Sequence, residues 1–123
     1  MLRGWTFMMP YSRGDVVLTI FPNSDLVTFK KRPALVIQDE TVHTGLPQRI
    51  VACITSNVGR TGATRIAIQQ NSSEGQQMGL RTDSVVVIDN LVTIPDRAIE
   101  QVIGSCPVMG SIEGALKVLF RLP

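Results

Sequence analysis

The chain has 123 residues, of which 44% are hydrophobic and 18% charged, with a formal net charge of +2. That length suits a single domain over residues 1–123 with room for an adequate core. No apolar run approaches the roughly 18 residues needed to cross a bilayer, and the opening MLRGWTFMMP lacks a signal peptide's h-region and cleavage site. The expectation is therefore a cytoplasmic protein with no membrane contact.

Short β-rich runs come first. Asp15 to Phe21, DVVLTIF, is apolar on both alternating faces, as a strand buried on both sides is. Ala34 to Ile37 and Ile50 to Thr55 read the same way. Thr64 to Gln69, TRIAIQ, alternates Ile66 and Ile68 with Arg65, Ala67 and Gln69, which predicts a strand with one wet face. Asn71 to Gly79, NSSEGQQMG, reads as an exposed polar loop. Ser84 to Asp89 is a fifth strand. Two helices are predicted late. In PDRAIEQVIG, Ile99, Val102 and Ile103 share a helical face between Pro95 and Gly104. In SIEGALKVLFRL, Ser111 is a candidate N-cap, and Ile112, Ala115, Leu116, Leu119 and Phe120 form the apolar stripe. Many short strands followed by helix predict a mainly β fold, a small barrel or strongly bent antiparallel sheet with a C-terminal helix.

The usual catalytic signatures are missing. His43 is the single histidine and lies in a turn-rich connection, where a histidine is ordinarily solvated. There is no P-loop, no GxSxG and no cluster of His, Cys and carboxylates, so neither a metal site nor a cofactor is expected. Cys53 and Cys106 lack metal-like spacing and read as two thiols rather than a disulfide. Charge is uneven. Residues 1–65 carry eight Lys/Arg against four Asp/Glu, and residues 66–123 carry four against six, as suits one phosphate-facing surface.

The basic run Lys30, Lys31 and Arg32 leads into Pro33. Proline has no N–H to give and belongs at a strand's start or edge, so Arg32 is held beside rigid backbone. Two readings stand at this point, a solvated turn and a grip on an anion. Thr55 and Ser56, in CITSN, sit where a strand runs into a loop; there a hydroxyl often bonds only local backbone. Asp89, in IDNL, lies at the end of another strand, where a turn is the first explanation.

Together, RGDVVLTIFPNSDL, KKRPALVIQ, VACITSN and DSVVVIDNLVTIP resemble, in order and spacing, the MazF/PemK family of toxin–antitoxin ribonucleases over roughly residues 13–103. The resemblance implies a compact SH3-like β-barrel with a C-terminal helix, acting as a homodimer. It also implies metal-free cleavage of single-stranded RNA and neutralisation by a cognate antitoxin. On matching positions, Arg32 and Thr55 correspond to the family's catalytic pair. Ser56 and Asp89 fall on positions that bind or orient RNA, with Lys30, Lys31 and Arg60 as further RNA contacts. Apolar residues of the C-terminal helix and the Met- and Trp-bearing N-terminus are where a dimer contact is expected.

The chain departs from the family pattern at two places. An arginine common two residues before the aspartate is Val87 here, and a glutamate common before the Arg-Pro pair is replaced by Val27 and Thr28. The general base is thereby left open, with Asp25 a candidate and Arg13, Arg60 or Arg81 able to replace a phosphate contact. Two rival functions are a non-enzymatic CcdB-like toxin binding a protein such as gyrase, and a nucleic-acid-binding barrel of the SH3 or Sm kind. The first has no need of the Arg32–Thr55 pair. The second ordinarily stacks bases on aromatics, which are 5% of this chain, Trp5, Phe7 and Tyr11 clustering at its start.

Overall fold

The computed structural model describes residues 11–22, 25 and 27–123. Trp5, Phe7 and the methionines of the N-terminus lie outside them. Among the described residues, six strands and two α-helices follow in chain order: β1 (Asp15–Pro22), β2 (Phe29–Val36), β3 (Gln48–Thr55), β4 (Arg65–Ile68), α1 (Ser73–Gln77), β5 (Ser84–Pro95), a 3₁₀ turn (Asp96–Ala98), β6 (Ile99–Ser105) and α2 (Met109–Phe120). The strands form one antiparallel sheet in the order β4-β5-β3-β2-β1-β6.

That order explains the barrel-like shape of a sheet whose ends do not pair. β5 is second and β6 sixth, so in a flat sheet they would stand four spacings, roughly 19 Å, apart. The residues joining them, Asp96–Ala98, span at most about 15 Å fully stretched, and less when wound as a 3₁₀ turn. The sheet must curl to bring β6 onto β1.

Strand alternation sends side chains to two faces. On the helix face Val16, Leu35, Ala52, Ile54, Val86 and Ile88 pack under Ile112 and Ala115 of α2. On the opposite face Val17, Phe21, Ala34, Val36, Val51, Ile94 and Ile99 form a second cluster. Buried among these is Thr19, whose hydroxyl donates to the Ala98 carbonyl at 2.9 Å. Arg49 is also buried, its guanidinium 3.4 Å from Asp96 and donating to the Gln48 carbonyl.

Three sequence expectations are corrected. Residues 99–105 form a strand rather than a helix. β1 pairs with it through two irregularities, between Val16 and Val17 and between Leu18 and Thr19, which skip Ile103 and Glu100. Each extra residue breaks the two-residue period, so the apolar Ile99, Val102 and Ile103 stand in a strand at spacings of three and four that otherwise mark a helix. The supposed loop 71–79 contains α1, capped by the Ser72 hydroxyl accepting from the Gly75 N–H at 3.0 Å. Its end abuts β6 backbone: a Cβ on Gly79 (φ +69°) would strike the Ile103 carbonyl, and one on Gly104 would strike Gln77 and Met78. Lastly, α2 begins three residues earlier than Ser111 suggested, with Val108 as its N-cap and no side-chain cap; Phe120 is exposed, outside the buried stripe.

Candidate active site

β2 divides the basic run between two surfaces. Lys30, Lys31 and Arg32 stand opposite Phe21, Ile20 and Thr19 of β1. Phe21 and Thr19 are buried on the face opposite the helix, whereas Ile20 is exposed on the helix face. Arg32 and Lys30 therefore share the face opposite the helix. Lys31 points the other way, its Nζ 2.9 Å from Glu100 of β6. The structure does not bring Lys31 together with Arg32.

Pairing of β2 with β3 starts just after Pro33, at Ala34 with Cys53, and runs through Leu35–Ala52 and Val36–Val51. Each of these pairs has residue numbers summing to 87, as 32 and 55 do. Two residues beyond Ala34 and Cys53, alternation returns Arg32 and Thr55 to one face, at the end where the two strands part. Both are half-buried, so neither is sealed.

Cys53 reports on what surrounds them. Burial pushes its thiol pKa up, while the positive charges of Arg32 and Arg60 pull it partly back. Both guanidiniums thus act on the end of β3, although Arg60 comes from the loop that follows. That loop is ordered from its first residues. The Thr55 hydroxyl oxygen accepts from the Asn57 N–H at 3.1 Å, Asn57 Oδ1 accepts from the Gly59 N–H at 3.2 Å, and the Arg60 N–H donates to the Asn57 carbonyl at 3.4 Å. The local-backbone bond expected of a hydroxyl here is real for Thr55. It fixes the oxygen and leaves the hydroxyl hydrogen to give. Ser56, the next residue, is exposed.

Asp89, expected at a strand's end, lies instead inside β5, which runs on to Pro95, in an irregular stretch. The ladder with β3 jumps from Val87 opposite Cys53 to Leu91 opposite Ala52, leaving residues 88–90 without β3 partners. Arg65 of β4 forks onto Asp89, with Nε 3.2 Å from Oδ1 and Nη2 3.0 Å from Oδ2, and the Thr64 hydroxyl donates to Oδ1 at 3.0 Å. These bonds hold the Asp89 carboxyl below its usual pKa, Arg65 being the largest cause. Arg65 is the residue that motif reading missed. It stands directly across the ladder from Val87, so an arginine is present beside that position on the neighbouring strand. Its place on the wet face of TRIAIQ was the available signal.

The remaining candidates stand apart. Asp25 accepts from the Val27 and Thr28 N–H groups and the Thr28 hydroxyl at 2.8–3.0 Å, and these bonds lower its pKa. A carboxylate held that way has a weakened appetite for protons, which is the wrong direction for a general base. Arg13 pairs with Glu113 of α2 at 3.0 Å. Arg81 lines a groove of about 600 Å³ with Leu18, Pro33, Leu80 and Val102, on the helix side of β2 and behind Arg32. His43 is exposed, and Cys53 and Cys106 are free thiols.

A curled six-stranded antiparallel sheet with a helix over one face, and the charges of Arg32 and Arg60 acting on the end of β3, defines a small mainly β protein. Its sequence is specific enough to go further. Residues 12–120 match the sequence model of the PemK-like, MazF-like toxins of type II toxin–antitoxin systems, and the chain belongs to that family. No curated protein matches it. Among solved structures it is similar to the Mycobacterium tuberculosis toxin MazF-mt6, at 28% identity over 89% of this chain and 98% of that one, with a TM-score of 0.70. It is also similar in fold to an endoribonuclease from a mycobacterial species (24% identity, 95% and 97% covered, TM-score 0.68). A third likeness is to a mycobacterial endoribonuclease in complex with its cognate antitoxin (22% identity, 92% and 97% covered, TM-score 0.70).

Proposed function

We propose that this toxin is a metal-independent, sequence-selective endoribonuclease acting on single-stranded RNA. The observation that supports it best is the common face of Arg32 and Thr55 where β2 and β3 part, with the charge of Arg60 reaching the same strand end. In the reaction a ribose 2′-OH attacks its adjacent phosphorus and gives up its proton to water. The bond to the 5′ oxygen breaks, and that oxygen takes a proton. The products are a 2′,3′-cyclic phosphate and a free 5′-OH. Negative charge grows on the non-bridging oxygens, and a guanidinium already aimed at them helps most in the transition state. Arg32 has that role. Its pKa above about 12 disqualifies it as a proton abstractor but permits it to protonate the leaving oxygen. Thr55, its oxygen pinned by the Asn57 N–H, donates its hydroxyl hydrogen to the phosphate. Lys30, Arg60 and Ser56 lie along the path of the RNA backbone, and Lys31 adds a charge that Glu100 partly offsets.

The proposal includes a cytoplasmic location, a cognate antitoxin as partner and a homodimer. Among the described residues, no helix is long and apolar enough to cross a membrane. Val118, Phe120 and Leu122, at and just beyond the end of α2, present apolar surface that a second chain can cover. The test is incubation of purified protein with mixed single-stranded RNA in EDTA. Cleavage leaving cyclic phosphate ends is expected, slowed about 10²–10³-fold by Arg32→Ala. Undiminished cleavage by that variant moves the active site elsewhere.

A further inference from the structure

The loop joining β3 to β4 carries Arg60 and is gripped at its far end by a chain of bonds that leads back to one carboxylate. Ile88 donates its N–H to the Thr64 carbonyl at 2.8 Å, tying the loop's end to the irregular stretch of β5. Both oxygens of Asp89 are engaged by Thr64 and Arg65. The remaining terminal nitrogen of Arg65, Nη1, donates to the Thr61 carbonyl at 3.2 Å, one residue past Arg60. The Arg65 N–H donates to the Gly62 carbonyl at 3.1 Å. A guanidinium is a rigid planar fork. Once two of its nitrogens are fixed on a carboxylate, the third has a fixed direction, and here it lands on the loop backbone.

We infer that Asp89 is a positioning residue, which through the Arg65 fork clamps the 56–64 loop and holds Arg60 over the end of β3, and that it does not itself bind RNA. A carboxylate facing a polyanion is repelled unless neutralised, and this one is neutralised by an arginine that commits three of its five N–H donors to Asp89 and Thr61. Three of the acceptor sites of Asp89 are already taken, two on Oδ1 and one on Oδ2, so little of the carboxylate is left to read a base edge. Leaving those bonds closed delivers Arg60, whose side chain has no hydrogen-bond or ion-pair partner among the described residues, to the strand end where Arg32 and Thr55 meet. Arg60 already acts on the Cys53 thiol there. The bond network is independent of the endoribonuclease reading, but its kinetic consequence rests on it.

Two measurements separate these. The first needs no RNA: trypsin cleavage after Arg60, followed by mass spectrometry. Where opening is fast, proteolysis tracks the population of the opened loop. Asp89→Asn is expected to speed that cut roughly 3- to 10-fold, within the range of losing a charge-assisted forked pair. Arg65→Lys keeps the charge, loses the fork, and should act alike; it also serves if Asp89→Asn fails to fold. An unchanged cutting rate in the folded variants overturns the clamp. The second is a kinetic cycle on single-stranded RNA. Misplacing a cation by an ångström can cost up to about 10²-fold in rate. Asp89→Asn should therefore slow the wild type roughly 10- to 100-fold, yet have no further effect in an Arg60→Gln background. Losses that multiply instead show Asp89 acting on RNA directly and overturn the proposal. If the wild type cuts no RNA, the endoribonuclease reading fails while the trypsin result still decides the clamp.

Discussion

Arg49 is the one charged side chain of the described residues that is almost completely buried, with 2% of its side chain exposed. Its partner Asp96 begins the 3₁₀ turn that links β5 to β6, so the pair sits where the chain crosses the curl of the sheet. At 3.4 Å, and with an effective dielectric of about 20, the two charges attract by about 5 kcal/mol before desolvation is counted. Desolvation consumes much of that, but deleting one partner leaves the other stranded, typically at about 3–5 kcal/mol. Asp96 has 22% of its side chain exposed, so water can reach part of it, but its Oδ1 is buried and has no hydrogen-bond partner among the described residues. The lower end applies, about 3 kcal/mol for Arg49→Met. For a chain of this size that is a fall of about 10–15 °C in Tm. Thermal unfolding by calorimetry gives the answer, with Asp96→Asn and the double variant completing a cycle. The double variant should be more stable than the sum of the single losses by about 1–3 kcal/mol. A Tm for Arg49→Met within about 3 °C of the wild type, or strictly additive losses, refutes the reasoning.

Three further outcomes are expected. Gly104→Ala drives a methyl group into the Gln77 and Met78 backbone at the end of α1, costing about 1–3 kcal/mol; urea unfolding should show a lower midpoint at an unchanged m-value. The Cys53 thiol, raised by burial and lowered by Arg32 and Arg60, should be alkylated by iodoacetamide at pH 8.5 more slowly in Arg32→Gln and in Arg60→Gln than in the wild type, each measured in a Cys106→Ser background. Equal rates would mean that the two cations are not gathered there. Asp25, Asp39 and Asp89 all have folded-state pKa values below the ordinary 3.8. Their stabilisation is fully present above that value and is lost as pH falls through the lowered ones. Tm should accordingly fall below about pH 4, and Asp89→Asn, which removes one of the three, should flatten the fall.

The five early strands were legible because each buries an alternating or continuous apolar stretch, and the Thr55 motif was legible because it marks a strand–loop junction. Pro33 marks where β2 starts to pair with β3, while β2 itself begins four residues earlier, at Phe29. β6 was not, for a physical reason: its two skipped residues replace the strand period with one that imitates a helix. The turn of α1 was hidden by its polarity, since its burial falls on Gly75 and Met78 at its end rather than on an apolar stripe. At the site, sequence set Lys30, Lys31 and Arg32 down as one unit, and only the pairing with β1 shows which belongs with Thr55. The engagement of Asp89 by Arg65 joins residues 24 positions apart, and no local pattern could connect them.

Adjacent codons in β2 govern different surfaces of the molecule. Charge can be added or removed at position 31 without retouching the neighbourhood of position 32, so the outward character of the helix side and the chemistry of the far side are free to diverge separately in evolution or by engineering. The same parity sets a hazard: a slip of one residue between β1 and β2 would exchange the two surfaces wholesale, presenting lysine where the guanidinium belongs.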